Sequence, residues 1–123
     1  MKFGFPNIHV KDLEESKKFY QDLIKLNVRN EIQVGENIRI AFMVDTEANV
    51  LELIEDKSKL NEINYNKSYK VSLLFKVDDI NEEMERATKA GFKFDGPLIT
   101  TPSGTKFFYV IDPNGVPIQI TSL

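Results

Sequence analysis

Glu52 is the side chain with the most chemical reach in this sequence. It stands between Leu51 and Leu53 in a β-rich run. A carboxylate in such apolar company can act as a general base or hold a cationic group. A neighbouring side chain or backbone group that merely satisfies it would fit the pattern equally well. Gln119, 67 residues further on, sits between Ile118 and Ile120 and offers both a donor and an acceptor. It can serve a ligand, or it can be the partner of Glu52. His9 is the only histidine. Strand alternation puts it on one side with Phe5 and Asn7, and puts its counterpart Lys76 on one side with Ser72 and Leu74. A lone histidine at a strand end reads as a surface group, a ligand contact or, more narrowly, an acid–base catalyst. Nucleophilic catalysis has no support: cysteine is absent, and no Ser or Thr lies in a nucleophile motif.

An internal repeat positions these residues. Val10-Lys11-Asp12-Leu13-Glu14-Glu15 aligns with Val77-Asp78-Asp79-Ile80-Asn81-Glu82 at an offset of 67. At the same offset Phe42-Met43-Val44-Asp45 meets Tyr109-Val110-Ile111-Asp112, and Leu51-Glu52-Leu53 meets Ile118-Gln119-Ile120. Two copies of one small unit imply a surface where the halves face each other, and a ligand would sit there.

The first copy reads β-α-β-β-β. Phe3 to Val10 is a strand; Asp12 caps a helix running to about Lys25, with Glu15 completing a capping box. Leu13, Phe19, Tyr20 and Leu23 fall near one face of that helix. Strands follow over roughly 30–34, 38–44 and 50–54, broken by Gly35-Glu36-Asn37 and a turn over 45–49. The second copy starts with a strand over 71–77. Asp79 and Glu82 form its capping box, Ile80, Met84 and Ala87 its helical stripe, and Gly91 its left-handed helix stop. Pro102-Ser103-Gly104 leads into a strand over 105–111, and Asp112-Pro113-Asn114-Gly115 turns the chain into the last strand over 116–122. Residues 55–70 form a polar connector with only Leu60, Ile63 and Tyr65 to pack. Strand runs apolar at both parities, such as Val50-Leu51 beside Leu53-Ile54, imply that both sheet faces are covered: one by helices, the other by a cavity or an interface. Phe42, Phe75, Phe107, Phe108 and Tyr109 lie on these strands, and alternation sends some of them inward.

Bulk properties narrow the functional classes. At 123 residues, 41% hydrophobic and 28% charged, the chain suits one globular domain with a real core. A net charge of −3 argues against nucleic acid, which selects a concentrated basic face. No run reaches the roughly 18 apolar residues of a membrane span, and the start lacks a signal-peptide pattern, so the expectation is cytoplasmic, with no membrane partner.

Val10-Lys11-Asp12-Leu13-Glu14-Glu15-Ser16-Lys17-Lys18-Phe19-Tyr20 and Asp112-Pro113-Asn114-Gly115, at opposite ends of a duplicated β-α-β-β-β chain, resemble the vicinal oxygen chelate superfamily. That group holds glyoxalase, extradiol dioxygenases, fosfomycin-modifying enzymes and bleomycin-resistance proteins. The resemblance spans essentially the whole chain. It implies an α+β fold in which two tandem βαβββ modules, about 1–55 and 71–123, form an open half-barrel mixed sheet with helices on the outer face. It also implies a homodimer. The Leu-Gly usual after the first helix is replaced here by Ile24-Lys25.

Metal-using relatives hold one divalent ion with four residues, commonly His, Glu, His, Glu, from the first and last strand of each module. The matching positions here are Phe5, Glu52, Ser72 and Gln119; 72 − 5 and 119 − 52 both give 67. Phe5 has no lone pair, and Ser72 and neutral Gln119 are poor ligands for zinc, nickel, manganese or iron. One carboxylate does not replace a four-ligand cage, so the expectation is no metal and no other cofactor.

The leading functional expectation is a metal-free module of the bleomycin-resistance kind that takes up a small aromatic or amphipathic molecule. Its cleft would be lined by Phe5, Asn7, His9, Glu52, Ser72, Leu74, Lys76 and Gln119. The acidity is too weak to single out a strongly cationic drug. Two other readings stay open: an enzyme that keeps the fold and uses Glu52 as base, with His9 or Gln119 steering the substrate, and a metal-dependent lyase or dioxygenase with ligands elsewhere. A non-catalytic dimerisation or regulatory domain also fits.

Overall fold

The computed structural model describes residues 1–63, 65 and 71–122. The chain falls into two compact units, Met1–Asn66 and Lys67–Leu123. In the first, the order is β1 (Asn7–His9), α1 (Leu13–Asp22), β2 (Asn27–Val34), β3 (Ile38–Val44) and β4 (Val50–Asp56). The second runs β5 (Leu73–Val77), α2 (Ile80–Lys89), β6 (Ile99–Thr100), β7 (Lys106–Ile111) and β8 (Pro117–Ser122). Each unit is an open four-stranded mixed sheet, ordered β1-β4-β3-β2 and β5-β8-β7-β6. β1 runs parallel to β4 and β5 parallel to β8; the remaining pairs are antiparallel. This is the α+β architecture of two βαβββ modules.

The repeat survives in atomic detail. Adding 67 to the bounds of α1 returns the bounds of α2. Both helices start on an aspartate: Asp12 accepts from the Glu15 amide at 3.1 Å, and Asp79 from the Glu82 amide at 3.0 Å. Each such cap satisfies one of the amides that a helix start leaves without an intrahelical partner. α1 packs on β2, β3 and β4, and α2 on β7 and β8. Between helix and sheet lie the buried side chains: Leu13, Phe19, Tyr20 and Leu23 from α1, Ile8, Val10, Ala41, Met43, Leu51 and Leu53 from the first sheet. In the second unit Ile80, Ala87, Phe108, Val110, Ile118 and Ile120 are buried, while Met84 is half-buried. Lys17 bridges Glu14 and Glu31 at 2.9 Å each, and Arg39 reaches Glu14 at 2.9 Å, so charges clasp the rim of the α1 side. Such exposed pairs contribute at most about 1 kcal/mol each.

Several elements differ from expectation. The first strand is Asn7–His9 rather than 3–10, although the Pro6 carbonyl accepts from Glu52 and the Val10 amide donates to Ile54 at its two ends. Pro6 has no amide to extend the ladder, and Phe3 lies exposed. The second strand of the second unit is broken. Phe94 bridges Val110, the chain then swings out at Gly96 (φ 92°) and Pro97, and only Ile99–Thr100 rejoins β7. Proline and a left-handed glycine interrupt an edge strand in this way. Of the connector, residues 57–59 form a 3₁₀ turn and the Tyr65 hydroxyl donates to the Val10 carbonyl at 3.4 Å; positions 64 and 66–70 lie outside the described residues.

Helix α1 ends at Asp22, three residues before Lys25. Lys25 itself adopts φ 67°, the left-handed conformation that Gly91 (φ 75°) supplies after α2. An L-residue with a Cβ there costs about 1–2 kcal/mol, and glycine escapes most of it. Lys25→Gly is therefore expected to stabilise the protein by about 1 kcal/mol in urea unfolding. A loss of stability would show that the lysine side chain contributes more than its backbone costs.

Among the described residues no helix is long and apolar enough to cross a membrane.

Candidate functional site

Each sheet has one face under its helix and one face without it. In the first unit the second face carries Asn7 and His9 from β1, Val50, Glu52, Ile54 and Asp56 from β4, and Ile38, Ile40, Phe42 and Val44 from β3. Its strands alternate between buried residues toward the helix and half-buried residues toward this open face. Cross-strand partners share a side, so the register decides who meets whom. Asn7 is the partner of Glu52, and Glu52 is in turn the partner of Phe42.

The Glu52 backbone is held by its amide bond to the Pro6 carbonyl at 3.1 Å. Its side chain is half-buried, with no hydrogen bond or ion pair among the described residues. Phe5 lies before β1 and is 39% exposed; its ring meets Phe42 edge-on, centroids 6.2 Å apart. This is an aromatic contact of the ordinary T-shaped kind. His9 is exposed opposite Ile54, at the far end of β1 from Phe5. Close by on the same face, the Asp56 carboxyl is held below the usual range, first by the Ser58 hydroxyl at 2.6 Å, with His9 a minor contributor.

The second unit repeats the arrangement with changed chemistry. Leu74 is the partner of Gln119, and Gln119 of Tyr109, reproducing Asn7, Glu52 and Phe42 shifted by 67. The Tyr109 hydroxyl donates to Gln119 Oε1 at 2.9 Å. The Gln119 oxygen is thus engaged within its own sheet, and that bond leaves its two N–H donors unused. Phe107 meets Tyr109 edge-on at 6.0 Å. Lys76 is exposed opposite Thr121, and Ser72 is exposed just ahead of β5.

One residue of this surface escaped the sequence reading. Between Val28, partner of Met43, and Asn30, partner of Phe42, the ladder slips at Arg29. A bulge places two consecutive side chains on one side of a strand. The Arg29 guanidinium accordingly lies over the Phe42 ring, 5.4 Å from its centroid, and Nε donates to Asn30 Oδ1 at 3.1 Å. No periodicity signals this, because Val28 and Ile32 have the same parity yet end on opposite faces.

Residues 2–120 match the family model described as Glyoxalase/Bleomycin resistance protein/Dioxygenase superfamily. The chain belongs to that superfamily. It is 30% identical over 112 residues to the uncharacterized protein YwbC of Bacillus subtilis (strain 168), covering 88% of this chain and 86% of that one. Solved structures share the fold at lower identity. A glyoxalase family protein from Bacillus cereus superposes with a TM-score of 0.84 at 19% identity, over 99% of this chain and 93% of the other. The fosfomycin resistance protein FosX from Listeria monocytogenes, in complex with Mn(II) and sulfate, gives 0.77 at 12% identity, over 99% and 92%.

The superfamily resemblance puts the ligand positions of metal-using members at Phe5, Glu52, Ser72 and Gln119 of this sequence. The donor set does not fit a divalent ion. Phe5 offers a ring already packed on Phe42, Gln119 is a neutral amide whose oxygen already accepts from Tyr109, and Ser72 is a neutral hydroxyl. Among the described residues no three His, Asp or Glu side chains are grouped to hold a metal elsewhere.

Proposed function

We propose that this superfamily member binds a small aromatic or amphipathic molecule without using the family's divalent metal. The Tyr109–Gln119 hydrogen bond carries the reading, because it converts a ligand position into part of a polar pair fixed within the sheet. Around Glu52 in the first unit, and separately around Gln119 in the second, half-buried apolar and aromatic side chains supply the flat, partly apolar surroundings such molecules prefer. A homodimer, as the family resemblance implies, and a cytoplasmic setting belong to the same reading.

A thermal-shift screen of aromatic metabolites and antibiotics tests it. A ligand at 100 times its Kd stabilises the folded state by about 2.7 kcal/mol, a readily measured rise in Tm. Elemental analysis before and after chelator tests the metal clause separately: a stoichiometric transition metal sinks it.

The unpartnered carboxylate favours one alternative, an enzyme in which Glu52 takes a proton from the bound molecule. Glu52→Gln is then expected to keep ligand affinity and lower turnover by about 10²–10⁴-fold. Unchanged turnover in that variant removes the enzymatic reading and leaves the binding protein.

A further inference from the structure

Among the described residues Arg29 is a cation of the first unit that lies on the open face without an ion pair. Arg39 and Lys17 face the α1 side and are neutralised by Glu14 and Glu31. Among the described residues Arg29 makes no ion pair: its contacts are the Asn30 amide oxygen and the Phe42 ring. A guanidinium lying over a ring keeps its edge available, and with Nε engaged by Asn30 it is the terminal Nη1–Nη2 pair that matches the two oxygens of a carboxylate. The Nε bond to Asn30 fixes the orientation of the planar group, so little freedom remains to be lost when an anion arrives. Phe42 then stands between two unlike groups, Arg29 over its ring from β2 and Glu52 across from it on β4. Two strand spacings separate β2 from β4, about 10 Å. That span suits a molecule with an anion at one end, a ring in the middle and a hydrogen-bond donor at the other.

We propose that Arg29, turned outward by the β2 bulge, recognises a carboxylate on the bound molecule, whose apolar body lies against Phe42 and Phe5. The inference rests on the small-molecule reading above and adds the class of ligand: an aromatic carboxylic acid.

Benzoate and its neutral isostere benzamide separate the two ideas. Amide NMR spectra of ¹⁵N-labelled protein are titrated with each compound, and the same titrations are run on Arg29→Gln and Arg29→Lys. Benzoate is expected to shift the signals of Arg29, Asn30 and Phe42 saturably and to bind tighter than benzamide. Arg29→Gln, an exposed change, should weaken benzoate roughly tenfold or more and leave benzamide unaltered, with Arg29→Lys in between because it lacks the bidentate edge. Equal binding of benzoate and benzamide at these strands overturns the carboxylate assignment while the small-molecule reading stands. Equal benzoate affinity in wild type and Arg29→Gln overturns it too, as does silence of the β2–β4 signals toward benzoate. In that last case the thermal-shift screen decides the broader reading by itself.

Discussion

Asp112→Ala is expected to lower the unfolding free energy by about 3 kcal/mol, seen as a reduced urea midpoint with an unchanged slope. Asp112 is 4% exposed, and its Oδ1 accepts from the amides of Asn114 at 2.8 Å and Val116 at 2.7 Å, while Oδ2 accepts from Asn114 Nδ2 at 3.2 Å. Truncation removes the carboxylate that these buried donors share, at about 1–3 kcal/mol for each polar group left unsatisfied. The repeat provides its own control. Asp45 accepts the two equivalent amide bonds, from Glu47 and Asn49, and a side-chain bond from Asn49 Nδ2, at 2.8–2.9 Å, but in an exposed turn. There water takes over the lost acceptor, and Asp45→Ala should cost nearer 1 kcal/mol. The Asn49 side chain, above all, holds the Asp45 carboxyl below its usual range. A carboxylate depressed in the folded state stabilises above the unfolded value and loses that contribution as pH falls through the folded one. The Asp45→Ala deficit should accordingly shrink below about pH 4. Equal losses at the two sites would mean that bond geometry, and not burial, sets the energy.

The second large effect is at Glu55, a carboxylate 6% exposed on the helix side of β4. Its Oε2 accepts from the amide of Leu13, the first residue of α1, at 2.7 Å. A buried anion at a helix start receives an otherwise unmatched N–H and the positive end of the helix dipole. Against this stands desolvation, and Oε1 is buried with no hydrogen-bond partner among the described residues. Glu55→Ala removes the acceptor and leaves a void, so stability should fall by about 2–3 kcal/mol. Glu55→Gln keeps an oxygen for Leu13 and trades an unmatched oxygen for an unmatched amide, at about 1 kcal/mol. If both variants matched wild type in urea unfolding, the cost of burying the charge would have cancelled its contribution as a cap.

Legibility followed the range of the interaction. The helix starts were readable because Asp12 and Asp79 bond to amides three residues away. The span of β3 coincided with 38–44 because turn residues bound it on both sides. Glu55 looked like the start of a polar connector; only the approach of Leu13, 42 residues distant in sequence, makes it a buried cap. The βαβββ pattern implies a strand between α2 and β7 without placing it, and no local pattern weighs Gly96-Pro97 against the pull of the β7 edge. Arg29 passed unnoticed because its side depends on a slip in pairing with β3.

The chain's own spelling determined the duplication, the caps, the apolar stripes and the lack of imidazole or carboxylate at Phe5, Ser72 and Gln119. Each of those follows from residue identity or from spacing within a few positions. Tertiary structure alone decided that Asn7 stands opposite Glu52, that Tyr109 claims the Gln119 oxygen, and that Arg29 lies over Phe42. These depend on strand register, and register is set by the joint packing of residues far apart in the chain, which no local pattern encodes.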